Sequence, residues 1–493
     1  MTFPAREAAD VLEKPRARLA LLTVVAAVVL FARLGDGHLA NYDDCYYAQK
    51  AKEMLQGGDW LSPHFAGTLR LDNPPLFLWL VAAGFKLFGV GAYGAAFFSA
   101  AAALVCVPLL VRIARRLGFD PFEAWCAGVV LLTTQYFLKY AGHAMMDVVL
   151  TMFFLLAVDG YLSGCEGKRR GWLQLGIATG LGVLLKSVLG LFPLAIAVAH
   201  RLTVRGAKGA AEPGPWIAAL AAAAIGAPWF GYQLAVHRET LIGEHFQWLI
   251  WSRGFVEPAD AGGGNDPLGY LTRIARVYWP WLPLAAAGIW IAGKRAFDRS
   301  GPAADRSPAR LILLWLVVVL GTMSLGHVKK LWYVMSVFPC LALFAALAAG
   351  RFVGSEASRR RAVSWAAGVL VAFAALVALT PIGTSRPRQP DLQQMAHVVR
   401  ASVPAGHKVI NFDAPYWDVA NQFLFYSDHD LTEPLGDPSR VREQLRAGGW
   451  ALIATPRVAL VVGAESSAIQ VVARSGSWSL LTAAPAPPLT LEP

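Results

Sequence analysis

The sequence predicts a polytopic α-helical membrane protein with a small α/β domain at its C-terminal end, and three observations predict it. The 493-residue chain is 56% hydrophobic and only 16% charged, too few charges to clothe a soluble core of that size. Apolar stretches of about 17 to 22 residues recur, the length a helix needs to cross roughly 30 Å of hydrocarbon. After about residue 383 the texture changes to proline-punctuated helical and strand patterns. The formal charge of +11 would suit nucleic acid if the basic residues formed one stripe. They lie instead in small clusters between apolar runs, which excludes that partner and reports topology.

The first run, in "MTFPAREAADVLEKPRARLALLTVVAAVVLFARL", follows a basic flank and has no small-x-small cleavage site, so it reads as a retained first helix with the N-terminus in the cytoplasm. Basic clusters follow at Arg112, Arg115 and Arg116, at Lys168 to Arg170, at Arg201, Arg205 and Lys208, at Lys294 to Arg310, and at Arg351 to Arg361. Short basic loops stay cytoplasmic, so an even number of crossings separates each pair. The first interval holds three apolar runs. Its middle one, "PLFLWLVAAGFKLFGV", begins at a double proline, contains Lys86 and is short for a span. It is assigned to an interfacial or re-entrant helix in the first outer loop.

The remaining runs pair cleanly: 94–111, 124–140, 147–163, 171–185, 188–201, 216–236, 280–293, 310–326, 333–349 and 362–380. With residues 19–33 they make about eleven transmembrane helices, and residues 1–383 form the membrane domain. Residues 34–93, 139–147, 237–279 and 326–332, and the bend at Lys186 and Ser187, then share the outer face. Residues 384–493 form an outer α/β domain, with strands at "HKVINFD", "WALIATP" and "IQVVARSGSWSLL" and helices near 391–402, 416–426 and 438–447. The five cysteines show neither a disulfide framework nor zinc spacing.

The polar residues of that outer face are the candidates for chemistry. Asp43 and Asp44 head a segment in which Tyr47, Ala48, Ala51 and Met54 recur near helical spacing. One acid is enough for a helix cap, and here there are two. Asp72 and Asn73 precede the double proline, which fixes an extended entry into the interfacial helix. Asp147 sits at the mouth of a span, where an unpaired carboxylate is costly. Lys186 interrupts apolar sequence, and snorkelling is its structural alternative. "TLIGEHFQWLIWSRGF" supplies Glu244, His245 and Arg253, and "SLGHVKKLWYVMSVFP" supplies His327, Lys329, Lys330 and Tyr333. Cations on the non-cytoplasmic face run against the positive-inside trend, and an anion explains them. The set suits a phosphate-linked substrate held by cations while a carboxylate takes a proton from an acceptor. A transporter or flippase would need charges near the bilayer midplane, where these spans have almost none.

The same residues resemble the GT-C glycosyltransferases that use polyprenyl-phosphate sugars, the group of the lipid A aminoarabinose transferases and the protein O-mannosyltransferases. "DDCYYAQKAKEMLQGGDWLSPHFAGTLRLDNPPLFLWL" is similar in order and spacing to the family's D-E-x-x-Y-A-x-x-A-x-E-M, G-x-W and acid-K-P-P-L elements. "MMDVVLTMFF", "GVLLKSVLGLFP" and "KKLWYVMSVFPCLAL" resemble its D-M-P-L-T-F-F, L-T-K-G-P-x-G and K-L-P-x-Y-x-L-P-x-P elements. The resemblance covers roughly residues 15–380.

It implies an inverting transfer of a sugar from a polyprenyl-phosphate donor, without a nucleotide cofactor. The acceptor would be lipid A, another envelope glycolipid, or a protein hydroxyl, at the periplasmic side of a bacterial inner membrane. Asp43 would be the catalytic base and Asp44 its support. Lys330 would hold the donor phosphate, with Lys186, Arg253, Lys329 and Tyr333 assisting and Asp147 a second acid at the substrate. A divalent metal between Asp72 and His245 is the one cofactor implied. Where the family has lysine before the double proline this chain has Asn73, which removes one phosphate contact.

Overall fold

The computed structural model describes residues 14–39, 43–256, 268–298, 303–382, 389–463 and 468–483. The helices, in chain order, begin with α1 (Pro15–Phe31), α2 (Asp43–Gly57), α3 (Leu76–Phe88), α4 (Ala92–Arg116), α5 (Pro121–Leu132) and α6 (Gln135–Ala141). They continue with α7 (Met146–Cys165), α8 (Arg169–Lys186), α9 (Phe192–Arg205), α10 (Pro213–Val236), α11 (Gly269–Tyr278) and α12 (Leu282–Phe297). The last six are α13 (Ala303–Ser324), α14 (Val337–Phe352), α15 (Glu356–Leu379), α16 (Pro390–Ser402), α17 (Tyr416–Ser427) and α18 (Pro438–Arg446). Among the described residues six helices are long and apolar enough to cross a membrane, α8 and α9 counting together as one, and α3, α5 and α14 are shorter apolar helices. The chain is a multi-pass helical membrane protein with a small C-terminal mixed sheet.

Two expected runs differ in detail. Residues 124–140 are two helices, because the Thr133 and Thr134 hydroxyls donate back to the Val129 and Val130 carbonyls at 2.7 Å each and compete with helix continuation. The second piece is therefore free to start a new axis at Gln135. Residues 188–201 open with a tight 3-10 turn, Ser187–Leu191, because Ser187 adopts φ 49°, a left-handed conformation that a side chain disfavours.

The chain divides into two units. Residues 1–34, 70–80 and 96–383 form the first; residues 35–69, 81–95 and 384–493 form the second. The second unit thus joins residues 35–69 and 81–95 to the C-terminal residues.

In the first unit, α7 and α8 run antiparallel and α8 packs on α10. The latter seam is built on small residues, as close helix approach requires: a Cβ at Gly176 or Gly180 would collide with the Ala218 or Ala222 carbonyl. In the second unit a four-stranded sheet runs β3 (Val409–Phe412), β4 (Trp450–Ala454), β6 (Trp478–Thr482), β5 (Gln470–Ser475). β3 and β4 are parallel and the other pairs antiparallel. The single strand expected over "IQVVARSGSWSLL" is thus a hairpin, turning at Gly476 with φ 47°.

Strand alternation divides the core of this unit into two faces. Trp450 and Leu452 pack with α16 and α17 through Leu392, Met395 and Phe423. Ala451 and Ile453 pack with Val441 and Leu445 of α18. Phe65, from the small hairpin β1 (His64–Phe65) and β2 (Thr68–Leu69), belongs to the first of these cores. The hairpin turn places Ala66 at φ 53° and Gly67 at φ 71°, the primed geometry that suits strand twist. Glu53 of α2 accepts both turn amides, at 2.8 and 3.1 Å.

Candidate functional site

The acids expected at the heart of the chemistry lie in the second unit. Asp43 opens α2 and is half-buried, and Asp44 beside it is buried. The N-terminal end of a helix favours negative charge. Fully buried Cys45 is held protonated, its thiol pushed well up by burial and then by the Asp44 charge.

The other expected site residues lie in the first unit, on segments far apart in sequence. Asp147 stands in the first turn of α7 and Lys186 in the last turn of α8, so each charge complements its own helix dipole. Because the two helices are antiparallel neighbours, these ends meet, and Lys186 and Asp147 form an ion pair whose side chains are 12% and 2% exposed. The Lys186 ammonium also lies 5.0 Å from the centre of the Tyr333 ring, a cation–π contact. Lys186 therefore points inward rather than snorkelling.

Just past Lys186, Ser187 joins a second set of contacts. His245 lies on the wide π-helical segment Leu241–Val256 and is buried. Its Nδ1 lies 3.0 Å from the Asp72 carbonyl oxygen and its Nε2 lies 2.9 Å from the Ser187 hydroxyl. The carbonyl can only accept, so Nδ1 carries the proton and Nε2 accepts from Ser187. Asn73 donates through Nδ2 to the Asp72 carboxylate at 2.7 Å. Adjacent Glu244 accepts from the Arg70 guanidinium at 2.9 Å and the Leu71 amide at 2.6 Å. Arg70, Leu71 and Asp72 of the prolyl entry are thereby pinned to the π-helical segment.

That arrangement does not fit a metal. His245 is bonded through both ring nitrogens and meets the backbone of Asp72, while the Asp72 carboxylate takes the Asn73 amide. Among the described residues no group of three or more His, Cys, Asp and Glu is gathered as a metal would need.

The His245 environment has a measurable consequence. Burial holds its pKa below the ordinary value, with the bond to the Asp72 carbonyl and the Asp72 charge acting in the other direction. The folded protein then binds fewer protons than the unfolded chain. Its stabilising contribution is present above about pH 6.5, the unfolded value, and is lost as pH falls toward the folded value. Melting temperatures of purified protein from about pH 5 to 7.5 should rise with pH, and His245→Gln should flatten that rise. An unchanged slope in the variant would reject the assignment.

The cationic segments are tied together by backbone. The Arg253 carbonyl accepts from the Val328 amide at 3.2 Å and the Gly254 carbonyl from the His327 amide at 2.8 Å. Arg253 lies over the Trp248 ring at 5.3 Å and Lys330 over the Trp332 ring at 5.9 Å. Lys329 is buried, with its ammonium donating to the Gly326 carbonyl at 2.7 Å and its own carbonyl accepting from Arg273. Lys186 pairs with Asp147 and Arg70 with Glu244, and Arg253 and Lys330 lie on the two segments that the backbone bonds join.

Three residues here were not singled out in the sequence: Ser187, Tyr270 and Arg273. Tyr270 is buried beside Tyr333, and among the described residues its hydroxyl has no hydrogen-bond partner. The cations of "GYLTRIARVY", on a segment assigned to the outer face, were the available clue. Ser187 offered none, because its place depends on a left-handed backbone.

Residues 18–242 match the family described as dolichyl-phosphate-mannose-protein mannosyltransferase. The chain is 29% identical over 389 residues to the undecaprenyl phosphate-alpha-4-amino-4-deoxy-L-arabinose arabinosyl transferase of Pseudomonas aeruginosa PAO1, covering 77% of this chain and 67% of that protein. It is 29% identical over 380 residues to the second such transferase of Pseudomonas fluorescens Pf-5, covering 75% of this chain and 62% of that protein. The chain thus spans about two thirds of the length of these relatives. The crystal structure of ArnT from Cupriavidus metallidurans bound to undecaprenyl phosphate superposes with a TM-score of 0.74 at 19% identity, over 94% of this chain and 97% of that one. The oligosaccharyltransferase AglB of Archaeoglobus fulgidus gives 0.59 at 12% identity, over 89% and 69%.

Proposed function

We propose that the chain is a GT-C glycosyltransferase that moves a pentose or hexose from an undecaprenyl-phosphate carrier onto lipid A or a similar envelope glycolipid. The reaction is a single inverting displacement. The Asp43 carboxylate takes the proton of the acceptor hydroxyl, and Asp44 supports it. The hydroxyl oxygen attacks the anomeric carbon, and the bond from that carbon to the phosphate oxygen breaks. The leaving polyprenyl phosphate keeps the electron pair, and Arg253 and Lys330 stabilise it electrostatically. Tyr333, Lys329 and Asn73 line the donor, and the Asp147–Lys186 pair orients the sugar end. The protein makes about eleven crossings of a bacterial inner membrane, with the N-terminus cytoplasmic and the C-terminal domain periplasmic.

The observation that carries this reading is the backbone pairing of residues 253–254 with residues 327–328. It joins two cations from distant loops on a scaffold of GT-C fold, as a phosphate leaving group requires. A protein hydroxyl is the second acceptor reading, favoured by the match of residues 18–242 to a protein-mannosyltransferase family. Mass spectrometry of lipid A and of envelope proteins from cells with and without the protein separates the two. A pentose or hexose adduct on lipid A that disappears with the gene is expected, and an adduct lost from protein alone would replace the acceptor.

A further inference from the structure

The helix that bears Asp43 and Asp44 is held at both ends by the C-terminal domain, and all of these contacts lie within the second unit. Upstream of the acids, the Leu39 amide donates to the Tyr426 hydroxyl at 3.1 Å, and the Gln393 amide donates to His38 Nδ1 at 2.7 Å. Downstream, Lys52 is buried, and its ammonium donates to the Phe425 carbonyl at 3.0 Å and pairs with the Asp428 carboxylate. The same ammonium lies 5.5 Å from the Phe425 ring centre.

A buried ammonium is tolerated only with such a set of partners. Its location therefore fixes both the rotation and the axial position of α2 against α17. Asp428 is itself braced. It ends α17 at φ 60°, and its second oxygen takes Arg400 of α16 at 3.0 Å. Between these anchors the helix buries Cys45, Ala48 and Ala51, and Tyr46 packs on Phe65, 4.8 Å between ring centres. From Lys52 back to Asp43 the helix runs about 13 Å, so a small rotation at the latch moves the carboxylates laterally.

We propose that the C-terminal domain is part of the transfer machinery, holding the acid-bearing helix in register, and that Lys52 is a positioning residue. Neither helical periodicity nor the acid motif uses Lys52, and a packing role alone would be met by an apolar side chain. The proposal rests on Asp43 being the base, so Asp43→Asn is assayed alongside.

The test uses full-length protein in native membranes, with initial rates measured against donor concentration. Lys52→Met, Asp428→Asn and Tyr426→Phe should each lower kcat at least tenfold at unchanged KM for the polyprenyl-phosphate donor, and Lys52→Arg should restore most of it. Tyr426→Phe removes one oxygen from a packed ring, and it keeps the test alive if the buried-charge variants fail to fold. Unchanged kcat in Tyr426→Phe and in a folded Lys52→Met, with Asp43→Asn inactive, would overturn the positioning role. Full activity in Asp43→Asn would overturn the reading beneath it.

Discussion

Asp43→Asn is expected to lower sugar transfer by about 10²- to 10⁴-fold, the usual contribution of a general base, while donor binding stays within a factor of about two. The amide keeps the size and the helix-start position of the carboxylate but cannot accept a proton at neutral pH. Donor affinity is assigned to Arg253 and Lys330, both on the first unit, so the substitution leaves that charge untouched. Initial rates in isolated membranes and equilibrium binding of the undecaprenyl-phosphate donor make the two measurements. Wild-type rates in the variant would sink the assignment of the base. A loss confined to binding would move Asp43 from proton transfer to substrate contact.

The second large effect is at the Asp147–Lys186 pair. Lys186→Met should destabilise the purified protein by about 3–5 kcal/mol, because it leaves a carboxylate that is 2% exposed without its cation. Adding Asp147→Asn should recover most of that loss, since the uncompensated buried charge is then gone. Thermal unfolding of the two single variants and the double variant in detergent gives the coupling directly. Additive losses would show that the pair is not energetically coupled. If transfer stays low in the restabilised double variant, the pair has a role in the reaction beyond stability.

The helices of the membrane part were legible because apolar length alone specifies them, and the strand and helix pattern after residue 383 was legible because its periods are short and local. The breaks were less visible. Thr133 and Thr134 read as ordinary residues in an apolar run, and only their hydroxyl bonds to the preceding turn end the helix there. The π-helical winding of residues 241–256 leaves no mark in a 3.6-residue pattern. Candidate residues were found where a charge violated its surroundings, as with Asp147, Lys186 and Lys330. Their partners were not, because Ser187 and Tyr270 are unremarkable in sequence and take part through backbone geometry and burial. Lys52 was hidden differently. Its charge looks solvent-facing in "AQKAKEM", and the acid that pairs with it, Asp428, lies on another segment of the second unit.

That second unit is assembled from chain pieces made at very different times. Residues 35–69 and 81–95 leave the ribosome long before residues 384–493, yet Phe65 shares one core with Leu392, Phe423, Trp450 and Leu480. The early loop cannot bury its apolar face until the late segment has been made, a contact of very long sequence separation and correspondingly slow formation. During biogenesis the protein therefore exists for some time as an inserted bundle whose acid-bearing helix has no seat. A chain that stops before residue 384 lacks the core that Phe65 joins and the partners of Lys52, Phe425 and Asp428. The anchors of the acid-bearing helix are therefore complete only once that late segment is in place.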